Sequence, residues 1–240
     1  MARLLVVCLP TYNERENLEA MVGALQGLGV ADLQVLVIDD NSPDGTGEIA
    51  NALASAHDDV HVLHRPEKQG LGPAYLGGFR RALELGADLV FEMDCDFSHD
   101  PADVPRLAAA AQHADLVLGS RYVEGGEVGN WGPLRRFVSR GGSLYAQILL
   151  QLRIRDLTGG FKCYRRAVLE RIDLDAITSL GYAFQIETTY RTLRAGFRVV
   201  EVPIRFVDRE VGHSKMSNAI FLEAVWKVPL LRLRALLGRM

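Results

Sequence analysis

Cysteine is scarce in this chain of 240 residues, which contains only Cys8, Cys95 and Cys163. These residues lie far apart and form no Cys-x-x-Cys pair, so the sequence offers neither a zinc-ribbon spacing nor a disulfide framework. Cys8 lies in an apolar stretch and Cys163 lies beside aromatic residues, where reduced and buried thiols are expected. The cysteine pattern therefore favours a protein of a reducing compartment such as the cytosol.

Long apolar runs are also absent. No stretch of roughly eighteen consecutive apolar residues occurs, so the sequence predicts no membrane-spanning helix. The first apolar segment, 3–9, is short and stops at Pro10, which does not fit a secretory leader. The formal net charge is only −3 and gives no general attraction to nucleic acid. Apolar residues make up 48% and charged residues 24% of the chain, as in soluble globular proteins.

Short apolar segments alternate with segments of helical periodicity in the first half of the chain. The predicted strands are 3–9, 33–38, 60–63, 87–93 and 116–118, and the predicted helices between them begin near residues 14, 46, 74 and 101. Strands that alternate with helices in this way predict an α/β fold with a mostly parallel, doubly wound sheet.

The pattern changes after Arg121. A Gly-rich stretch is followed by an amphipathic helix at 134–152, by a half-buried strand at 199–207 and by a basic, apolar tail. We predict one large domain over 1–217, which includes the helix 134–152, and an amphipathic helical tail over 218–240. Pro229 is expected to break or restart the helix of the tail.

The helix 134–152 and the tail both place arginines beside aliphatic rows. Each fits a packed amphipathic helix with a solvated basic face. Each fits equally a helix that lies at a membrane interface, where basic side chains meet lipid phosphate. Trp131 and Trp226 also allow two interpretations, since either could be an interfacial anchor or a buried core residue.

Two aspartates follow the fourth predicted strand in the sequence Asp94-Cys95-Asp96, and Asp100-Pro101 then suits a helix start. Open α/β sheets bind ligands at the carboxyl ends of their strands. Carboxylates in that position can hold Mg²⁺ or Mn²⁺, usually with substrate phosphates completing the coordination shell. An Asp-x-Asp motif by itself fits simple loop formation equally well.

Other polar residues fall at the same edge of the predicted sheet. Asp39-Asp40 ends the second strand, while Tyr12 and Glu14 follow the first. A carboxylate there can accept hydrogen bonds from a base or ribose, and the tyrosine ring can stack on a base. A turn-forming role for Asp39-Asp40 is the alternative.

Single cations lie on later loops: Arg121, Arg209 and Lys215. A solvated surface charge is the simpler interpretation of each, although a diphosphate also needs such partners. Glu187 falls on a predicted helix, where an ordinary exposed glutamate is the simpler interpretation and a contact to a sugar hydroxyl is the alternative.

Several blocks of sequence together resemble family 2 glycosyltransferases of the GT-A fold. The general blocks are Pro-Thr-Tyr-Asn-Glu-Arg-Glu-Asn at 10–17, Val-Ile-Asp-Asp-Asn-Ser-Pro-Asp-Gly-Thr at 37–46 and Met-Asp-Cys-Asp-Phe-Ser-His-Asp-Pro at 93–101. Later blocks at 118–122, 156–162, 202–209 and 212–215 narrow the resemblance to the polyprenol-phosphate (dolichol-phosphate) mannose synthases. The resemblance extends over nearly the whole chain.

The resemblance implies a transfer of mannose, with inversion, from GDP-mannose to a polyprenyl monophosphate. The implied nucleoside contacts are Pro10, Tyr12, Glu14, Ile38 and Asp40. The implied ligands of Mg²⁺ or Mn²⁺ and of the diphosphate are Asp94, the backbone of Cys95, and Asp96. Arg121, Arg209 and Lys215 would neutralise phosphates, and with Asp96 they form the implied catalytic set. The middle residue of the Asp-x-Asp motif is commonly alanine in these enzymes, whereas here it is Cys95.

The resemblance also implies where the protein is located in the cell, and it leaves two alternative functions. Many bacterial relatives carry C-terminal transmembrane helices that this sequence does not show. We therefore expect a peripheral enzyme on the cytoplasmic face of a membrane, held by its amphipathic helices or by a membrane-protein partner. A transferase that uses UDP-glucose and an inactive nucleotide-binding scaffold subunit remain the alternatives.

Overall fold

The computed structural model describes residues 3–129, 131–208 and 218–238. The strands are β1 (Leu5–Thr11), β2 (Leu33–Asp39), β3 (Val60–His64), β4 (Leu89–Glu92), β5 (Leu116–Ser120), β6 (Glu127–Val128), β7 (Lys162–Arg165), β8 (Val199–Pro203) and β9 (Arg205–Phe206). The helices are α1 (Leu18–Gln26), α2 (Thr46–Ala56), α3 (Leu71–Glu84), α4 (Val104–Ala110), α5 (Pro133–Leu150), α6 (Arg166–Arg171), α7 (Gly181–Arg194) and α8 (Asn218–Leu236).

A seven-stranded sheet forms the centre of the fold, with the strand order β3-β2-β1-β4-β7-β5-β8. All neighbouring strands pair in parallel except β7, which is antiparallel to both β4 and β5. The prediction of a mostly parallel sheet is confirmed. The position of β7 was not predicted, because the sequence indicates only a turn that leads into Cys163 and Tyr164.

Helices cover both faces of the sheet, and alternate residues of each strand point to opposite faces. Val6 and Cys8 of β1 belong to a core that includes residues of α3 and α7. Val7 and Leu9 of the same strand belong to a second core, which includes residues of α1 and α4. The sheet is therefore buried on both sides, which leaves the carboxyl ends of its strands as the place for a site.

Helix α8 continues through Pro229, so the expected break is wrong. A proline has no N–H and cannot bond the carbonyl four residues earlier, which here belongs to Val225. The hydroxyl of Tyr145, on α5, donates a hydrogen bond to that carbonyl oxygen at 2.7 Å. A contact from a neighbouring helix thus replaces the missing bond and lets α8 remain helical.

Helices α5 and α8 pack against each other and leave apolar side chains exposed. The exposed fractions reach 76% for Phe137 and 78% for Trp226. The exposed apolar set of the two helices and of the residue after α8 is Phe137, Val138, Leu144, Ile148, Val225, Trp226, Leu230, Leu233, Leu236 and Leu237, and we call it the α5–α8 apolar surface. Within the described ranges, no helix is both long and apolar enough to cross a membrane.

Candidate active site

A cavity of about 650 Å³ lies at the carboxyl ends of β1, β2 and β4. This volume is within the range of sites for small molecules and cofactors. Three groups of residues line it: Pro10, Thr11, Tyr12, Glu14 and Asp40; Asp94, Cys95, Asp96, Ser98 and His99; and Arg121, Trp131, Arg135, Thr158, Gly160, Tyr182 and Gln185. The first two groups contain most of the residues that the sequence predicts for the site.

Asp40 and Tyr12 define the first end of the cavity. Arg65 donates from Nη1 to Asp40 Oδ1 at 2.5 Å, and its other terminal nitrogen bonds Gln69. Burial raises the pKa of Asp40, and the neighbouring guanidinium opposes that rise. The ammonium group of Lys68 lies 4.2 Å from the centre of the Tyr12 ring. This end therefore combines an acceptor carboxylate with an aromatic face.

Two residues predicted near this end do not face the cavity. Ile38 is fully buried in the core, and a methyl group added to Gly78 would collide with it. Its side chain supports the site from below without lining it. Asp39 instead organises the turn after β2, since its carboxylate accepts from the hydroxyl of Ser42 at 2.5 Å.

The loop after β4 holds Asp94 and Asp96 in different environments. The Asp94 side chain is 36% exposed, whereas Asp96 is buried. Phe97 adopts a left-handed φ of 57°, an uncommon conformation for a bulky residue. The chain turns back there, and Ser98 N donates to Asp96 Oδ1 at 3.0 Å. Strained residues of this kind occur often in ligand-binding loops.

His99 supports the acidic loop from within. Its Nδ1 accepts from the backbone N–H of Asp94 at 3.4 Å. Burial lowers the pKa of His99 to about 4, so the ring is neutral at physiological pH and Nδ1 can act as an acceptor. The predicted helix start follows, because Asp100 accepts from Ala102 N at 2.9 Å.

The acidic loop fits a divalent metal that arrives with a nucleotide. Throughout the described part of the chain, no set of three or more acidic, histidine or cysteine side chains is arranged around a metal position. Mg²⁺ commonly binds through one or two carboxylates and takes its remaining ligands from substrate phosphates and water. Asp94 and Asp96, both lining the cavity, match that incomplete set of protein ligands.

Arg121 is buried and paired, so its interpretation as a solvated surface charge is wrong. Its Nε and Nη2 each donate to Asp156 at 2.7 Å, and Nη2 also donates to Thr158 at 2.9 Å. Burial alone would raise the pKa of Asp156, but the guanidinium outweighs it and lowers that pKa. The charge of Arg121 is therefore largely compensated before any ligand binds.

Trp131 and Arg135 form the opposite end of the cavity. Trp131 is buried, and its indole Nε1 has no hydrogen-bond partner among the residues that the structure describes. The guanidinium of Arg135 lies 4.2 Å from the centre of this indole ring and also bonds Asp208 at 2.6 Å. The sequence places Arg135 only on the basic face of a helix, because the path of α5 past the cavity depends on tertiary packing.

A buried polar network lies beneath the acidic loop. Lys162 donates from Nζ to the carbonyl of Gln185 at 2.8 Å and to Thr188 at 3.0 Å. Tyr164 donates to Glu92 at 2.7 Å. Burial lowers the pKa of Lys162 to about 8 and raises the pKa of Glu92. Sequence reasoning missed this network, since its members come from three separate elements.

Three residues singled out in the sequence remain: Arg209, Lys215 and Glu187. Arg209 and Lys215 lie outside the described residues. Glu187 was expected to be exposed, which is wrong, because only 1% of it is accessible and it accepts from Ser179 and Arg191. Its carboxylate fixes the segment that leads into α7 and does not line the cavity.

Comparison with known proteins gives consistent findings. The family model described as "Glycosyl transferase family 2" matches residues 6–173. The chain is 53% identical over 220 residues to the undecaprenyl-phosphate mannosyltransferase of Micrococcus luteus, covering 92% of this chain and 90% of the relative. It is 50% identical over 237 residues to the polyprenol monophosphomannose synthase of Mycolicibacterium smegmatis, covering 98% and 89%.

Solved structures also resemble this chain. The glucosyl-3-phosphoglycerate synthase of Mycobacterium tuberculosis, in complex with Mn²⁺, UDP and glucosyl-3-phosphoglycerate, superposes with a TM-score of 0.69. The sequence identity is 19%, and the match covers 97% of this chain and 79% of the other. The same enzyme with Mn²⁺ and UDP-glucose gives a TM-score of 0.68 at 20% identity, covering 95% and 78%. The likeness establishes a shared fold, which is the GT-A fold expected from the sequence.

Proposed function

Because this chain belongs to glycosyl transferase family 2, we propose that it transfers mannose from GDP-mannose to a polyprenyl monophosphate and releases GDP. One observation carries the proposal. A single cavity contains an aromatic and carboxylate end, a central pair of aspartates and a basic aromatic end. These three parts suit a nucleoside, a diphosphate and an acceptor phosphate in that order.

The donor nucleoside is assigned to the end formed by Pro10, Tyr12, Glu14 and Asp40. The ring of Tyr12 offers a stacking surface for a base. The carboxylate of Asp40 is an acceptor that suits two neighbouring N–H donors on the edge of guanine. Uracil presents a single N–H donor between two carbonyl oxygens, so the same carboxylate would gain one hydrogen bond where guanine offers two. This difference supports guanine over the alternative donor, UDP-glucose.

The donor diphosphate is assigned to the acidic loop. Asp94, Asp96 and the backbone of Cys95 would hold Mg²⁺ or Mn²⁺ there. When bound, such an ion stabilises the negative charge that develops on the departing GDP. Arg209 and Lys215, which lie outside the described residues, are proposed to neutralise the same phosphates. Arg121, already paired with Asp156, is proposed to shape this part of the cavity and to orient phosphate by its remaining donors.

The acceptor phosphate is assigned to Arg135 and Trp131. The indole N–H of Trp131 is a buried donor without a partner in the described ranges, and Arg135 supplies positive charge beside it. The second pKa of such a phosphate is about 6, so its oxygen is already anionic near neutral pH. It attacks the anomeric carbon as the bond to the β-phosphate oxygen of GDP breaks. No proton is transferred, and a single displacement converts an α-linked donor into a β-mannosyl phosphate.

We propose that the α5–α8 apolar surface lies against a membrane. The polyprenyl chain of the acceptor is assigned to that membrane. Helix α5 carries Arg135 into the cavity and exposes Phe137 and Ile148 on its outer side. Arginines on the same helices can meet anionic lipid headgroups at the cytoplasmic face. The acceptor then presents its phosphate to the cavity while its tail stays in the bilayer.

A purified-component assay tests this function. The protein is incubated with GDP-mannose or UDP-glucose, a polyprenyl phosphate in detergent, and Mg²⁺, Mn²⁺ or a chelator. We expect metal-dependent release of GDP together with a mannosyl lipid, and little product from UDP-glucose. Preferential use of UDP-glucose would support the alternative donor. Failure of every donor to react, with GDP still bound, would support the inactive scaffold and contradict our proposal.

A further inference from the structure

The side chain of Gln185 lines the cavity, and both of its polar atoms are poorly satisfied. Gln185 lies in the second turn of α7, and only 2% of the residue is exposed. Neither its amide oxygen nor its amide nitrogen makes a hydrogen bond of ordinary length and angle to a described residue, although the amide lies close enough to Glu92 for a weak one. Buried amide groups in native proteins are almost always hydrogen-bonded. An amide so weakly partnered beside a cavity therefore points to a contact made by a ligand.

The backbone of Gln185 is held firmly, so the position of its side chain is not incidental. Its carbonyl oxygen accepts from Lys162 Nζ at 2.8 Å, from Thr189 Oγ1 at 3.0 Å and from Thr188 Oγ1 at 3.2 Å. Lys162 is itself completely buried. These bonds fix the start of the side chain, and functional side chains need this kind of support from below.

Gly160 and His99 place the amide close to the acidic loop. A Cβ atom added to Gly160 would lie 3.5 Å from Gln185 Nε2 and 3.9 Å from Cε1 of His99. His99 in turn lies 3.4 Å from the backbone nitrogen of Asp94. Gly160, Gln185 and His99 all line the cavity, so the cavity provides space between the amide and the loop assigned to the diphosphate. The transferred sugar, which is joined to that diphosphate, belongs in this space.

We infer that the amide of Gln185 hydrogen-bonds a hydroxyl group of the transferred hexose and thereby selects the donor sugar. The inference rests on the proposed function. An amide presents a donor and an acceptor, which together match the donor and acceptor character of a sugar hydroxyl. A site built to hydrogen-bond a hydroxyl strongly rejects an analogue that lacks it, because the protein group is then left unpaired.

Glu92 provides the competing explanation. The Gln185 amide is close enough to donate a weak hydrogen bond to Glu92, which opposes the rise in the pKa of Glu92 caused by burial. Oε2 of Glu92 makes no hydrogen bond of ordinary geometry in the described part of the chain. If Gln185 only supported Glu92, its loss would disturb the protein whether or not a sugar was present. Binding of GDP and of GDP-mannose therefore separates the two roles, because GDP carries no sugar.

Gln185→Met tests the inference, since methionine keeps the length of the side chain and removes both polar atoms. We expect the affinity for GDP, measured by titration calorimetry with Mn²⁺, to stay within about twofold. We expect kcat/KM for GDP-mannose to fall about 10- to 100-fold. One of the 2-, 3-, 4- or 6-deoxymannose donors should show a similar loss with the wild-type protein and no further loss with the variant.

Gln26→Met is the matched control, because Gln26 bonds Asp59 and does not line the cavity. It should match the wild-type protein in every measurement. Wild-type kcat/KM for Gln185→Met, or an equal loss of affinity for GDP and GDP-mannose, would overturn the inference alone. Absence of mannose transfer by the wild-type protein would overturn the proposed function and this inference with it.

Discussion

Arg121 and Asp156 form a buried, two-pronged ion pair, with Nε and Nη2 of the arginine each 2.7 Å from a different carboxylate oxygen. Pairs of this geometry combine charge with fixed orientation. The backbone N–H of Arg121 also donates to Asp156 at 3.0 Å. The loop after β5 is therefore tied to the segment before β7, and this tie closes the floor of the cavity.

Removal of one partner of this pair should destabilise the protein. Asp156→Asn leaves the buried guanidinium without a counter-charge, so we expect a loss of about 3–5 kcal/mol in the free energy of unfolding near pH 7. Urea denaturation measures it. Asp175→Asn is the matched control, because it breaks an exposed pair with Arg80 and should cost no more than about 1 kcal/mol.

The same pair predicts a pH dependence. Because the pKa of Asp156 is lower in the folded state than its ordinary value of 3.8, the unfolded chain binds the proton first as pH falls. The stabilisation is fully present above 3.8 and is lost as pH falls from there through the lowered pKa. Asp156→Asn should show a shallower loss of stability in this acidic range. If the free energy of unfolding of Asp156→Asn fell as steeply with decreasing pH as that of the wild-type protein, this role of Asp156 would be contradicted.

The order of strands and helices, and the acidic loop, could be predicted because they depend on local signals. An apolar run followed by Asp94-Cys95-Asp96 and Asp100-Pro101 marks a strand, a loop and a helix start by itself. Strand β7 could not be predicted in the same way. It has only four residues, two of them charged, and it exists because β4 and β5 flank it on both sides.

The roles of single charged residues were the hardest to predict from the sequence. Arg121 and Arg135 are both arginines after apolar segments, yet one is buried against Asp156 and the other stacks on Trp131. Only the packing of distant segments decides between these environments. Pro229 shows the same limit, since a local rule predicts a break that a bond from Tyr145 prevents.

The bond from Tyr145 to Val225 gives a further prediction about stability. Tyr145→Phe removes the donor and should lower the free energy of unfolding by about 0.5–1.5 kcal/mol. In a Pro229→Ala background the alanine restores a backbone N–H that can bond the carbonyl of Val225 in the ordinary helical way, so the same substitution should cost clearly less. Urea denaturation of the four variants measures the difference, and equal costs in both backgrounds would contradict this role.

Arg135 gives a prediction about the acceptor. Arg135→Met should raise KM for the polyprenyl phosphate about 10- to 100-fold, because a bond to a charged partner contributes about 1.5–3 kcal/mol. The KM for GDP-mannose should hardly change. Arg136→Met is the matched control, since Arg136 bonds the carbonyl of Val128 and does not line the cavity. Equal effects of both substitutions would argue against an acceptor site at Arg135.

The two tryptophans allow a prediction about the α5–α8 apolar surface. Trp226 is 78% exposed and Trp131 is buried, so only Trp226 can enter a lipid interface without rearrangement. Tryptophan emission should shift to shorter wavelength on addition of vesicles that contain anionic lipid, and less so at high salt. Trp226→Phe should lose the shift. A shift that persists in this variant would exclude Trp226 as the interfacial residue.

The most direct measurement of the central claim is mannose transfer by Asp96→Asn over a titration with Mn²⁺. Asparagine keeps an oxygen that can accept from Ser98 N but removes the charge that would hold the metal. We predict a loss of at least about 100-fold in kcat with unchanged thermal stability, while Asp173→Asn, outside the cavity, stays at the wild-type rate. Wild-type transfer by Asp96→Asn, with the same dependence on Mn²⁺, would contradict the account.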